Sequence, residues 1–145
     1  MKKFPHEYSV AASATPEGPV AVTSNGLEAI STAPPVEFDG PGERWSPETL
    51  LVAAVVDCFV LTFRAIARSS SLEWVELRCE GEGELDRTDH ITRFTGVSLR
   101  AFLTISPDTS AERASRILEK AEASCLITKS LACPVKLEPH VNSGS

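Results

Sequence analysis

Apolar residues in the first third of the chain come in short alternating pieces, Tyr8 to Ala11, Val20 to Val22 and Leu27 to Ile30. They are cut by Pro16-Glu17-Gly18 and by Asn25-Gly26. Asn-Gly suits the positive φ of a tight hairpin turn and the Pro/Gly cluster breaks a strand, so this region reads as a small antiparallel meander. A loop containing Pro34, Pro35, Gly40, Pro41 and Gly42 then leads to Ser46-Pro47-Glu48. Ser46 is a good N-cap, Pro47 suits the first helical position, where the missing N–H is not needed, and Glu48 puts negative charge where the helix dipole favours it. The pattern predicts a helix from Pro47 to Arg68 that is apolar on nearly all sides before Arg64. Such a helix is buried all round, either in a large domain or between subunits. With 145 residues to cover it, an oligomer interface is the more economical explanation.

Downstream the period changes to two. Val75, Leu77 and Cys79 alternate with polar residues over Trp74 to Leu85, and Val97, Leu99, Ala101, Leu103 and Ile105 do so within Ile91 to Ile105. With Asp86-Arg87-Thr88-Asp89 between them, these segments predict a second, longer hairpin. Ser106 to Ser110 caps a predicted helix over residues 111–123, Ser124 to Leu131 reads as a second short helix, and Pro134 to Val141 closes as a strand. Meander, apolar helix, hairpin, two helices and strand make one α+β domain over residues 1–145.

Composition narrows the function classes. The chain has 42% hydrophobic and 23% charged residues, with 14 Lys+Arg against 20 Asp+Glu and a formal net charge of −6. That is the profile of a single globular domain, without the basic footprint that phosphate backbones demand, so nucleic acid is not an expected partner. The apolar run from Leu50 is interrupted by Asp57, short of the roughly 18 uncharged residues of a membrane span, so no membrane is expected either. Two lysines at the start are followed by no apolar signal core, which places the protein in the cytoplasm.

Four cysteines, Cys58, Cys79, Cys125 and Cys133, are separated by 20, 45 and 7 residues. There is no C-x-x-C pair and no histidine nearby in sequence, so the spacing points neither to zinc nor to a disulfide scaffold, and no cofactor is called for. Cys79 falls in period with Val75 and Leu77, and Cys133 precedes Pro134; both read as small hydrophobes. Cys125 opens a helix after Ser124, where N–H groups would lower a thiol pKa. Cys58 sits mid-helix, where burial alone would raise its pKa unless a cation intervenes. Arg44, two residues before the cap, is the cation that local sequence offers, with a solvated loop arginine as the plain alternative. Glu48 lies ten residues from Cys58, about 15 Å along a helix axis, so the two cannot share a site within one straight helix. If both serve one substrate, Glu48 comes from a second subunit across a twofold interface.

The block Ser46-Pro47-Glu48-Thr49-Leu50-Leu51-Val52-Ala53-Ala54-Val55-Val56-Asp57-Cys58-Phe59 resembles the Pro-Glu and cysteine helix of the OsmC/Ohr family of osmotically inducible and organic hydroperoxide resistance proteins. Ala121 to Leu131, around Cys125, is similar to that family's second-cysteine helix, and the order of elements matches over essentially the whole chain. The resemblance implies an OsmC-like fold in an intertwined homodimer with two active sites at the interface. It implies a thiol-dependent peroxidase of hydrophobic organic hydroperoxides, acting in oxidative-stress defence. Cys58 matches the peroxidatic cysteine, which becomes a sulfenic acid, and Cys125 the resolving cysteine that forms a disulfide with it. A dithiol such as a lipoyl-bearing protein, or small thiols, would reduce that disulfide. Glu48 matches the family glutamate that helps hold an arginine over the thiolate.

At that arginine the chain departs from the family pattern, because Met1 to Gly42 contains none and Arg44 alone precedes the helix. Leu126-Ile127 also replaces the proline often found after the second cysteine. Two other readings therefore remain beside the peroxidase: a non-catalytic dimer of the same fold that binds an apolar small molecule, and a cysteine redox sensor. His6, His90 and His140 are scattered and carry no assigned role.

Overall fold

The computed structural model describes residues 1–144, in two compact units, Met1–Leu50 and the residues from Leu51 onward. The first holds strands β1 (Ala11–Ser13), β2 (Val20–Thr23) and β3 (Ile30–Thr32) in an antiparallel sheet of order β1-β2-β3. This is the meander expected from the turn residues, with Gly26 at φ +77°. β3 starts only at Ile30, because the turn is closed by the Leu27 N–H bonding to the Ser24 carbonyl at 3.0 Å.

A 3₁₀ turn at Val36–Phe38 follows, and Gly40 packs so closely that a Cβ there would lie 1.7 Å from the Pro34 carbonyl oxygen. The Ala33 N–H then bonds to the Trp45 carbonyl at 3.0 Å, which delivers Ser46 to the start of helix α1 (Pro47–Ser69). Ser46 caps it in a reciprocal arrangement. The Thr49 N–H donates to Ser46 Oγ at 3.0 Å, and the Ser46 N–H donates to Thr49 Oγ1 at 2.9 Å. Thr49 thus takes the place that Glu or Gln fills in the usual capping box.

In the second unit, β4 (Trp74–Thr88), β5 (Ile91–Ile105) and β6 (Val135–Ser143) form a sheet of that order. β4 and β5 are antiparallel, and β6 runs parallel to β5 after the crossover through α2 (Ala111–Ser124) and α3 (Leu126–Lys129). The hairpin turn is shorter than expected. β4 continues through Asp86, Arg87 and Thr88, and the reversal is made by Asp89 and His90, at φ +53° and +66°. Aspartate and histidine tolerate that left-handed region better than most side chains, so two residues suffice.

The core lies between the sheet and the two longer helices. Val55, Phe59, Phe63 and Ala67 of α1, at a spacing of four, meet Val97, Leu99, Ala101, Leu103 and Ile105 of β5. Ala114, Ile117, Leu118 and Ala121 of α2 complete it. Beside that stripe, Val52 and Val56 press onto β4 where it carries Gly81 and Gly83. A Cβ at Gly81 would stand 2.3 Å from Val56 Cγ2, and one at Gly83 2.7 Å from Val52 Cγ2.

Within this single chain the apolar helix is not buried all round. Only the one stripe is fully buried, and Leu61 is half exposed. Asp57 does not interrupt it either: α1 runs 23 residues with an 18-residue window of mean hydropathy 2.2, so by length and composition it could cross a membrane. Its packing onto β5 and α2 makes it the core helix of this unit.

Candidate functional site

The surface of α1 one step around from the buried stripe carries Ala54, Cys58, Leu61, Thr62, Ala65 and Ile66. Together with Leu126 and Ile127 of α3 these residues line an open, mainly apolar cleft of about 610 Å³, with Asp57, Lys120 and Ser124 also on its wall. Cys58 is half-buried in it.

Cys125 is fully buried at the junction of α2 and α3. It ends the first helix through its N–H to the Glu122 carbonyl at 3.3 Å, and it starts the second through its carbonyl, which accepts from the Lys129 N–H at 3.1 Å. Its backbone is extended (φ −66°, ψ 116°), and its side chain makes no capping bond to α3. The N–H groups of Leu126 and Ile127, at the opening of α3, act on the Cys58 sulfur and lower its pKa.

Cys58 and Cys125 are therefore brought together, close enough for each thiol to act on the titration of the other. Burial pushes the Cys58 thiol up, but the Cys125 thiol, the Ile127 N–H, the Thr62 hydroxyl and the Leu126 N–H together hold it below the ordinary thiol range. Thr62 Oγ1 lies 3.8 Å from Cys58 Sγ, one helical turn along α1. Cys125 moves the other way. Burial and its neighbour Cys58 raise it, against hydrogen bonding from the side chain and backbone of Thr128. Thr128 Oγ1 is buried without a well-formed hydrogen bond and is the hydroxyl that faces this sulfur. The expectation that α3 would lower the Cys125 pKa is corrected in its net outcome: the Thr128 N–H of α3 does lower it, but burial and then Cys58 outweigh that. The groups that lower Cys58 are all neutral, so a depressed thiol pKa does not require a cation at short range.

The remaining cysteines lie elsewhere. Cys79 packs on the core from β4, where burial and then the Glu80 carboxylate push its thiol up to about 11. Cys133 is half-buried beside the core just before β6. His140 bonds Glu138 at 2.8 Å and stacks on Phe102 on the exposed face of the sheet.

In the first unit, Arg44 is exposed and lines a shallow recess with Ser31, Gly42, Glu43, Trp45 and Thr49. Glu48 stands in the first turn of α1, and its Oε1 is shielded from solvent without a hydrogen-bond partner. Among the described residues no ion pair joins Arg44 to Glu48.

Sequence reasoning missed Thr62 and the N–H groups of Leu126 and Ile127. A threonine inside an apolar helical run, one turn from a cysteine, was the available signal for the first. Backbone donors from a separate helix leave no trace in residue type.

Residues 40–140 match the family of OsmC-like proteins. The chain is 30% identical over 122 residues to the uncharacterized protein YmaD of Bacillus subtilis (strain 168), over 82% of this chain and 81% of that one. Its fold is similar to that of an OsmC-like protein of unknown function from Vibrio cholerae, at a TM-score of 0.85 and 18% identity over 93% of this chain and 99% of the other. It is similar as well to an organic hydroperoxide resistance protein OsmC from Legionella pneumophila, described as a predicted redox protein and regulator of sulfide bond formation. There the TM-score is 0.75 with 24% identity, covering 97% of this chain and 99% of that one.

Proposed function

From the premise that the chain belongs to the OsmC-like family, we propose that it is a thiol-dependent peroxidase of hydrophobic organic hydroperoxides, working as a cytoplasmic homodimer in oxidative-stress defence. The observation that carries this reading is the pair of neighbouring thiols, Cys58 lowered and facing an apolar cleft, Cys125 raised and buried behind it. Family membership, with a neighbour named for organic hydroperoxide resistance, supports a peroxide-related stress role.

In this reading the Cys58 thiolate attacks the distal oxygen of ROOH. The O–O bond breaks, Cys58 becomes a sulfenic acid, and the alkoxide leaves, taking up a proton to give the alcohol. The Cys125 thiolate then attacks the sulfenic sulfur, hydroxide departs, and a Cys58–Cys125 disulfide forms. A dithiol or small thiols reduce it by exchange. Leu61, Ala65, Ile66 and Leu126 would hold the organic group of the substrate. We assign the exposed apolar positions of α1, Leu61 among them, to the cleft and to a subunit interface. Glu48 keeps the role that its position in the family motif implies, and Arg44 stands in from a shifted position for the arginine that the family supplies further upstream. A buried carboxylate oxygen without a donor, as at Glu48, calls for a cationic partner such as a guanidinium.

The test is single-turnover oxidation of the reduced protein by cumene hydroperoxide and by hydrogen peroxide, with peptide-mapping mass spectrometry of the product. A rapid Cys58–Cys125 disulfide, faster with the organic peroxide, is expected. Slow oxidation spread over several cysteines would overturn the peroxidase and favour a non-catalytic protein that uses the same cleft to bind an apolar small molecule.

A further inference from the structure

We propose that Thr62 is a positioning residue for the Cys58 sulfur, holding it on the cleft side of α1 by a hydroxyl hydrogen bond that serves the thiolate. The proposal deepens the peroxidase reading and rests on it for its role in turnover, while its geometric basis stands apart from any peroxide.

Side chains on a helix lean toward its N-terminus, so a residue at i+4 covers the turn that carries residue i. Thr62 stands in that relation to Cys58, with Oγ1 3.8 Å from Sγ. Both residues line the same cleft, and both are half-buried. From Leu50 to Phe63 the helix otherwise carries Leu, Val, Ala and Phe, with Asp57 and Cys58 as the other exceptions. Valine would fill the position with nearly the same shape and more apolar surface, so the hydroxyl is the feature to be explained.

A neutral hydroxyl suits this position. Its proton rotates to meet a sulfur lone pair, and its oxygen remains free to accept. It adds no fixed charge to a cleft lined by Leu61, Ala65 and Ile66. The backbone N–H groups of Leu126 and Ile127 reach the same sulfur from α3. Thr62 is thus the one donor to Cys58 supplied by its own helix.

The experiment measures the pH dependence of Cys58 alkylation by iodoacetamide, located by peptide mapping, in the wild type, Thr62→Val and Thr62→Ser. Hydrogen bonds to charged groups are among the stronger ones, so removing this one should shift the Cys58 profile to higher pH. It should lower its labelling rate near pH 7 by about three- to tenfold. Thr62→Ser, which keeps the hydroxyl, should stay within about twofold of the wild type. A Thr62→Val profile that overlays the wild type would overturn the proposal, as would an equal shift in Thr62→Ser. If Thr62→Val does not fold, Thr62→Ala removes the same hydroxyl and is read in the same way. Alkylation uses no peroxide, so a wild type without turnover would sink the peroxidase reading while the Thr62 shift is still scored on its own.

Discussion

Cys58 and Cys125 shift in opposite directions: burial raises both thiols, but Cys125, Thr62 and the N–H groups of Leu126 and Ile127 bring Cys58 down, while Cys58 adds to the rise at Cys125. Two neighbouring cysteines are thereby pushed toward opposite protonation states. The half-buried one gives up its proton more readily, and the fully buried one holds it more tightly. Cys125→Ala should raise the pH at which Cys58 is alkylated, since it deletes a donor to the thiolate. The same variant should let a Cys58 sulfenic acid persist after one equivalent of cumene hydroperoxide, trapped by a 1,3-dione probe. Cys58→Ser should reduce turnover to background with the fold intact by circular dichroism. Turnover retained in Cys58→Ser would remove this cysteine from the mechanism.

The alkaline limit of stability should be set in part by Cys79. Its folded thiol is raised to about 11, above the value of a free thiol, so the folded state keeps a proton that the unfolded state has begun to lose. The stability this represents is fully present below the ordinary thiol pKa and disappears as pH rises toward 11. Cys58 has the opposite sign. Its lowered value favours the fold above the ordinary thiol pKa, and that contribution is lost as pH falls through the folded value. Urea unfolding at pH 7, 9 and 10.5 should therefore show a falling midpoint in the wild type and a flatter one in Cys79→Val. Parallel slopes in the two proteins would show that Cys79 does not titrate in the fold.

What was legible in the chain follows from how local each signal is. Ser46-Pro47 marks the start of α1 because capping and the tolerance for proline are decided within one turn. The alternation from Val97 to Ile105 reveals β5, since every second side chain faces the same core. The reversal at Asp89-His90 was hidden, because neither residue is the glycine or asparagine that signals positive φ. Asp86 to Thr88 look like turn residues but lie on an exposed stretch of strand, where polar side chains cost little.

The site was legible in its cysteines and illegible in its donors. Cys58 and Cys125 could be paired only through the resemblance to a family, since 66 residues intervene between them. Cys125 at a helix opening suggested that it would receive the helix's N–H groups. The N–H groups of α3 are instead divided between the two sulfurs, Leu126 and Ile127 acting on Cys58 and Thr128 on Cys125, a division that cannot be read from residue type. Thr62 was obscured by the strength of the apolar pattern around it.

The contact of α1 with β4 should depend on the missing side chain at Gly81. A Cβ there would fall 2.3 Å from Val56 Cγ2, and valine is stiff at χ1, so the helix or strand must move. Overpacking of this kind costs about 1–3 kcal/mol, and Gly81→Ala should lower stability in urea by that order. Val56→Ala creates room at the same point, so the double variant should be less destabilised than the sum of the two single ones. Additive losses would mean that the two residues do not share a contact.

Substrate preference should respond to Leu126 without loss of the thiolate. Its side chain lines the cleft and is 66% exposed, so Leu126→Ser removes apolar wall while disturbing no core contact. Its backbone N–H, which reaches Cys58, is retained in the variant. Losing a contact worth about 1–2 kcal/mol to a bound organic group corresponds to about a tenfold fall in kcat/KM for cumene hydroperoxide. Hydrogen peroxide has no organic group to seat, and its rate constant should change by less than about twofold. The ratio of the two, measured on wild type and variant with the same reductant, isolates the cleft from the sulfur. Equal losses on both substrates would place the effect of Leu126 on Cys58 itself, and the cleft would then not be where the organic group binds.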